Sequence, residues 1–108
     1  PDDVDVVTPI YVNDGDVLSD DLCKGLDKVV VVEKTGCPAC AVAVPRLEEL
    51  EKELGKEFVY INVAIEEERN ELLLLGFVPR YVPTVVIDCV VYGGALEKER
   101  YKELIEAW

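Results

Sequence analysis

The sequence predicts an α/β fold: a mixed central sheet with helices on both faces, in a single domain over residues 1–108. Three observations support it. Short β-branched runs alternate with segments of helical spacing through the first two thirds of the chain. The valine run at 29–32 is continuously apolar, as in a strand buried on both faces. The chain closes with two short strands and a last helix, so a terminal hairpin completes a sheet begun by β-α-β alternation.

In order, residues 4–13 are β-branched and read as a strand, with Pro9 suggesting an edge or a bend. The stretch "DGD" at 14–16 is a turn. Ser19 is an N-cap candidate followed by two acids, so a short helix follows it. Residues 28–33 form the buried strand. The next helix carries Leu47, Leu50 and Leu54 at helical spacing, holds Pro45 inside, where a kink is expected, and stops at Gly55. Residues 57–63 read as a strand and 66–76 as a helix with an acidic start and a glycine stop. Two strands flank Asp88 and Cys89 within 83–94, and the last helix follows. The element order is βαβαβαββα, and its first two βαβ steps are expected to be right-handed.

Composition narrows the function. The formal net charge of -12 argues against nucleic acid and anionic membranes, which need basic patches. Its plain meaning is solubility. No apolar run approaches the length of a membrane span. The acidic opening "PDDVDVV" is not followed by a signal-peptide core, so a cytoplasmic location is expected. The chain lacks His, Met and Gln and is rich in Val, Glu and Lys/Arg, a bias of thermophilic proteins. Disulfides are tolerated inside cells of some hyperthermophiles.

The motif that carries chemistry is "KTGCPAC" at 34–40. Cys37 and Cys40 follow a buried strand and open a helix. A helix N-terminus offers free N–H groups and partial positive charge, and a thiol placed there ionises more readily. Three positions make one helical turn, so the two thiols can close a small disulfide. Cys37 is expected to be the exposed attacker and Cys40 the buried resolving thiol. Pro38 suits the first turn, where its missing N–H is not needed. A structural zinc site is disfavoured, because there is no His and no second C-x-x-C. Two inert core thiols remain the plain alternative.

On these residues the chain resembles the thioredoxin superfamily, and the likeness covers nearly its whole length. "CPAC" is similar to the glutaredoxin motif, and Lys34 sits where glutaredoxins place a lysine near the thiolate and glutathione. "YVPT" at 81–84 looks like the family's X-cis-Pro loop, and Gly93 and Gly94 follow Pro83 at glutaredoxin-like spacing. Pro45 and the final helix look like thioredoxin proper. The hybrid is similar to small archaeal redoxins and to one half of archaeal protein disulfide oxidoreductases. It departs from thioredoxins in lacking Trp before the motif and Gly-Pro inside it. Val31 stands where they keep a buried Asp; Glu33, on the same strand face, is an alternative proton acceptor for Cys40, or simply a solvated strand-end carboxylate.

The resemblance implies a thioredoxin fold and a thiol–disulfide oxidoreductase that exchanges a Cys37–Cys40 disulfide with protein or low-molecular-weight disulfides. Catalytic residues would be Cys37 and Cys40; substrate-binding residues would be Val82, Pro83, Lys34 and Pro38. Val82 would offer its backbone N–H and C=O to an extended substrate segment. Lys34 is otherwise a surface lysine. Arg80 is a candidate for a carboxylate of glutathione or a partner, and Pro79 has no such role. No cofactor beyond the redox disulfide and no metal are expected; glutathione is a candidate co-substrate. The implied partners are disulfide-bearing proteins and a reductase or small thiol as electron donor, with the protein acting as a monomer. Two rival readings are a non-enzymatic docking module and an iron–sulfur carrier using Cys37 and an external thiol. Cys23 and Cys89 are expected as buried thiols, a disulfide between them being the alternative. Tyr92, Tyr101 and Trp108 are expected as core or rim aromatics.

Overall fold

Four consecutive valines demand apolar cover on two sides, and the chain supplies it. The computed structural model describes residues 9–108. Its elements are β1 (Ile10–Val12), α1 (Asp20–Cys23), β2 (Val30–Glu33), α2 (Pro38–Leu54), β3 (Val59–Asn62), α3 (Glu66–Leu75), β4 (Phe77–Pro79), β5 (Thr84–Ile87), β6 (Val90–Gly93) and α4 (Lys98–Glu106). The central sheet has the order β3-β2-β5-β6, with β2 parallel to β3 and antiparallel to β5. Side chains alternate along a strand. Val30 and Val32 therefore join one core with Val12, Ile61, Leu72 of α3 and Phe77. Val29 and Val31 join the other with Leu47 and Leu50 of α2 and Tyr101 and Ile105 of α4. This is the mixed sheet with helices on both faces that a thioredoxin fold requires.

The local signals act as their chemistry dictates. Ser19 caps α1, its hydroxyl accepting from Leu22 N–H at 3.4 Å. Three glutamates open α3, where the helix dipole favours negative charge. Helix α2 continues past Pro45, which lacks the N–H that would bond the Ala41 carbonyl. Tyr101 is fully buried, its hydroxyl accepting from Leu96 N–H and donating to Gly94 O, whereas Trp108 is 39% exposed.

Two expectations need correction. Strand β4 was not anticipated. It is three residues long, too short for a period, and lies between the α3 stop at Gly76 and Pro79. It pairs in parallel with β1 in a separate two-stranded sheet. Among the described residues β1 does not pair with the central sheet, so β1-α1-β2 is not a crossover within it. The 4–8 part of the expected first strand lies outside the described residues, as does the acidic opening.

The second correction concerns Cys23 and Cys89, which are not free buried thiols. They are half-buried and joined in a disulfide, with Cα atoms 5.5 Å apart. That spacing suits the bond. The backbone brings them together. Asp88 and Cys89 have φ of +49° and +67°, as a two-residue type I′ hairpin turn requires. The segment before α1 docks on that hairpin through Leu18 N–H to Cys89 O at 2.8 Å and a Val17–Val90 bridge. Gly15 N–H to Val91 O and Val91 N–H to Asp16 O, both 2.8 Å, continue the contact along the outer edge of β6.

The bond closes a sequence separation of 66 residues. Loop-closure entropy at that length corresponds to about 4 kcal/mol of stabilisation. The Cys23→Ser/Cys89→Ser protein should lose stability of that order in denaturant titration. A loss below about 1 kcal/mol would show that the cross-link constrains little.

Candidate active site

The thiols sit where β2 ends and α2 begins. After Glu33 the chain turns through Lys34, Thr35 and Gly36. Gly36 has φ of +86°, a left-handed conformation that a side chain would resist. Cys37 then serves as the N-cap of α2, with Pro38 in the first turn. Its N–H donates to Lys34 O at 3.2 Å, and its carbonyl accepts from Ala41 N–H at 3.1 Å. Its sulfur takes the N–H of Cys40 at 3.1 Å. The side chain thus does what a serine or aspartate would do at this position. Cys37 is partly exposed, whereas Cys40 is 3% exposed.

Strand pairing brings the second half of the site to these thiols. Val32 lies opposite Thr84, so the loop entering β5 meets the loop leaving β2. The Val82–Pro83 peptide is cis. The Cys37 thiol donates to Val82 O at 3.7 Å, a sulfur-length hydrogen bond. Thr84 Oγ1 donates to Tyr81 O at 2.6 Å and Gly94 N–H to Pro83 O at 2.8 Å, so both sides of the loop are held.

A groove of about 280 Å³ opens at the thiols, lined by Glu33, Lys34, Thr35, Gly36, Cys37, Cys40, Ala41, Val44, Pro45 and Asn62. Lys34 is exposed on its wall, and Pro38 is exposed at the helix start but does not line it. Arg80 stands over the Tyr11 ring, 5.0 Å from its centroid, a cation–π placement. Pro79 closes β4 opposite Val12. A larger cleft of about 320 Å³, at Lys28, Phe58 and Trp108, lies at the other end of β2 and holds no thiol. Among the described residues no three His, Cys, Asp or Glu side chains group as metal ligands. No helix among them is long and apolar enough to cross a membrane.

Thr35 and Asn62 were not anticipated as part of the site. Asn62 ends β3 opposite Glu33. Its Oδ1 accepts from Thr35 N–H at 3.3 Å and from Ala64 N–H at 3.0 Å; its Nδ2 donates to Thr35 Oγ1 at 2.8 Å. An asparagine at the end of a β-branched run, bonding two residues ahead, is an Asx-turn signal that the sequence carries. Its reach to Thr35 depends on the β2–β3 register, which sequence does not display.

Burial first, then the bond to the Cys37 sulfur, push the Cys40 thiol from an ordinary 9.0 up to about 11; the Lys34 backbone pulls the other way, and the charges of Cys37 and Glu33 add smaller upward pushes. Glu33 is half-buried rather than solvated, and burial, with Glu48 and Glu68 nearby, holds its carboxyl above the usual range. Tyr60 is also raised, by burial and by its hydroxyl's bond to Glu51 at 3.0 Å.

The Cys40 shift gives a pH expectation. The thiol holds its proton more tightly folded than unfolded, so the stability it contributes is complete below the unfolded value and is lost as pH rises through the folded one. The reduced protein should weaken between pH 9.0 and about 11. The oxidised protein, in which Cys40 does not titrate, should lack that component. Denaturant midpoints of both forms across the window check this; parallel curves would contradict the burial of an un-ionised Cys40.

The comparisons with known proteins bear on the same residues. No curated protein matches the chain. The Glutaredoxin family model matches residues 29–91, more than half of the chain, from β2 to the start of β6. That span contains both thiols, Asn62 and the Val82–Pro83 loop, and it lies within a central mixed sheet flanked by helices; the chain belongs to the glutaredoxin family.

Proposed function

We propose that the protein is a thiol–disulfide oxidoreductase exchanging a Cys37–Cys40 dithiol or disulfide with protein or low-molecular-weight disulfides. One observation carries the reading. A partly exposed thiol caps a helix and faces the Val82 carbonyl, with a buried second thiol one turn behind.

In the reductive direction Cys37 loses its proton and its thiolate attacks one sulfur of the substrate disulfide. The substrate S–S bond breaks, a Cys37–substrate bond forms, and the departing sulfur takes a proton. Cys40 then gives up its proton and attacks Cys37 Sγ. The mixed disulfide breaks, the second substrate thiol leaves protonated, and the protein keeps the Cys37–Cys40 disulfide. The substrate gains two electrons and two protons, which the dithiol loses. Cys40, with its proton held up to about 11, needs a nearby acceptor. Glu33 lines the same groove and has raised proton affinity, which suits it to that role.

Val82 and Pro83 form the docking edge in this reading, an extended substrate segment using the Val82 backbone beside the attacking sulfur. Lys34, on the groove wall, suits an anionic group of the substrate or of glutathione as co-substrate. Pro38 shapes the exposed helix start that the substrate meets. The electron donor is a small thiol or a reductase, and the protein acts as a monomer in the cytoplasm.

Insulin-disulfide reduction with dithiothreitol as donor tests the activity. The wild type should accelerate it. Cys37→Ser should return the rate to background, and Cys40→Ser should accumulate a mixed disulfide on Cys37. A wild-type rate equal to dithiothreitol alone would leave a docking module instead. A visible-region absorbance after anaerobic purification would favour an iron–sulfur carrier.

Alkylation distinguishes the roles of the two thiols. In the native reduced protein one thiol should react well before the other, and mass mapping should place it on Cys37. A fast thiol that survives in Cys37→Ser would reverse the assignment of attacker.

A further inference from the structure

We infer that Asn62, with Thr35, is a positioning residue for the redox pair: it clamps the three-residue link between β2 and Cys37. The inference rests on the proposed oxidoreductase reading and adds to it what holds the attacking thiol in place.

Between the end of β2 at Glu33 and the cap at Cys37 the chain has only Lys34, Thr35 and Gly36. Gly36 is conformationally permissive, and locally the turn is closed by Cys37 N–H to Lys34 O at 3.2 Å. Thr35 is the residue that is held. Its backbone N–H and its hydroxyl both bond one amide, that of Asn62, at 3.3 and 2.8 Å. The amide is itself pinned. Its Oδ1 also takes the Ala64 N–H at 3.0 Å, and the Asn62 backbone N–H donates to Glu68 Oε1 at 2.9 Å. Glu68 belongs to α3, and Asn62 is in register with Glu33. The clamp therefore transmits the position of β3 and α3 to the link, and the link sets where Cys37 sits against Val82 O and Cys40 N–H.

The amide of Asn62 works as donor and as acceptor, and an alanine or leucine supplies neither. Asn62 also lines the groove beside both thiols, close enough that its loss would act on the redox pair rather than only on the fold. Releasing the clamp lets Cys37 wander from its two partners. Misplacing a reacting atom by about 1 Å can lower a rate by about a hundredfold, so a partial release is expected to cost roughly tenfold.

The test uses the full chain with Asn62→Ala, Thr35→Val and Thr35→Ser. Three quantities are read: the alkylation rate of Cys37, the redox equilibrium constant of the pair against dithiothreitol, and the thermal midpoint. Cys23→Ser/Cys89→Ser serves as a control destabilised at the opposite end of the sheet. Asn62→Ala and Thr35→Val should each slow alkylation by roughly tenfold and shift the equilibrium constant. Combined, they should do little more than Asn62→Ala alone, because Thr35→Val removes only the hydroxyl bond, one of the bonds that Asn62→Ala already removes. Thr35→Ser keeps the hydroxyl and should match the wild type; the cysteine control should lose thermal stability without changing the other two readings. If both variants alkylate within about twofold of wild type and keep its equilibrium constant, the clamp is purely structural and the inference falls. If Asn62→Ala does not fold, Thr35→Val decides alone. A wild type with no fast thiol and no insulin reduction would instead sink the oxidoreductase reading itself.

Discussion

The constraint on which the structure turns is the burial of β2 on both faces. A strand with valine at four successive positions has no solvent side, so one helix layer must cover Val30 and Val32 and another Val29 and Val31. Once β2 lies between two layers, its end must emerge at an edge of the sandwich, and the chain leaving it enters α2 at once. Neighbouring strands are then fixed by register. β5, antiparallel, delivers Val82–Pro83 to that edge, and β3, parallel, delivers Asn62. The site is assembled from three strand ends because a single central strand orders all of them.

Placement of the thiols in this frame separates their chemistry. Cys37 caps α2 beyond the end of β2 and is partly exposed. Cys40, one turn further, is under the groove floor, where desolvation resists a negative charge. The Glu33 carboxylate adds to the same effect and disfavours anionic charge on Cys40. A buried thiol that keeps its proton at neutral pH would not compete with Cys37 for the first attack in the proposed reaction.

Much of this was legible in the residues. The valine run, the leucine spacing of α2 and the glycine stops marked the main elements, and C-x-x-C at a helix start marked the thiol pair that the structure sets beside Val82. What escaped has a common physical origin in long-range register. β4 is three residues bounded by Gly76 and Pro79, and only its pairing with β1 makes it a strand. Asn62 and Thr35 are 27 apart in sequence and meet through the β2–β3 ladder. Cys23 and Cys89 read first as buried thiols, with a disulfide only as the alternative, because nothing near either one announces the other. The placement of Arg80 over Tyr11 likewise follows from the β1–β4 pairing, which the sequence does not display.

The Cys23–Cys89 bond has a topological consequence. Every residue of the redox site, from Glu33 to Pro83, lies inside the covalent ring it closes. A protease that cuts one peptide bond within that ring opens the backbone without releasing a fragment. The strands on either side of the cut stay tethered at the β5–β6 turn, and the pieces reassociate as one molecule rather than as two. An exposed loop near the thiols can thereby be cut once without splitting the domain into two molecules.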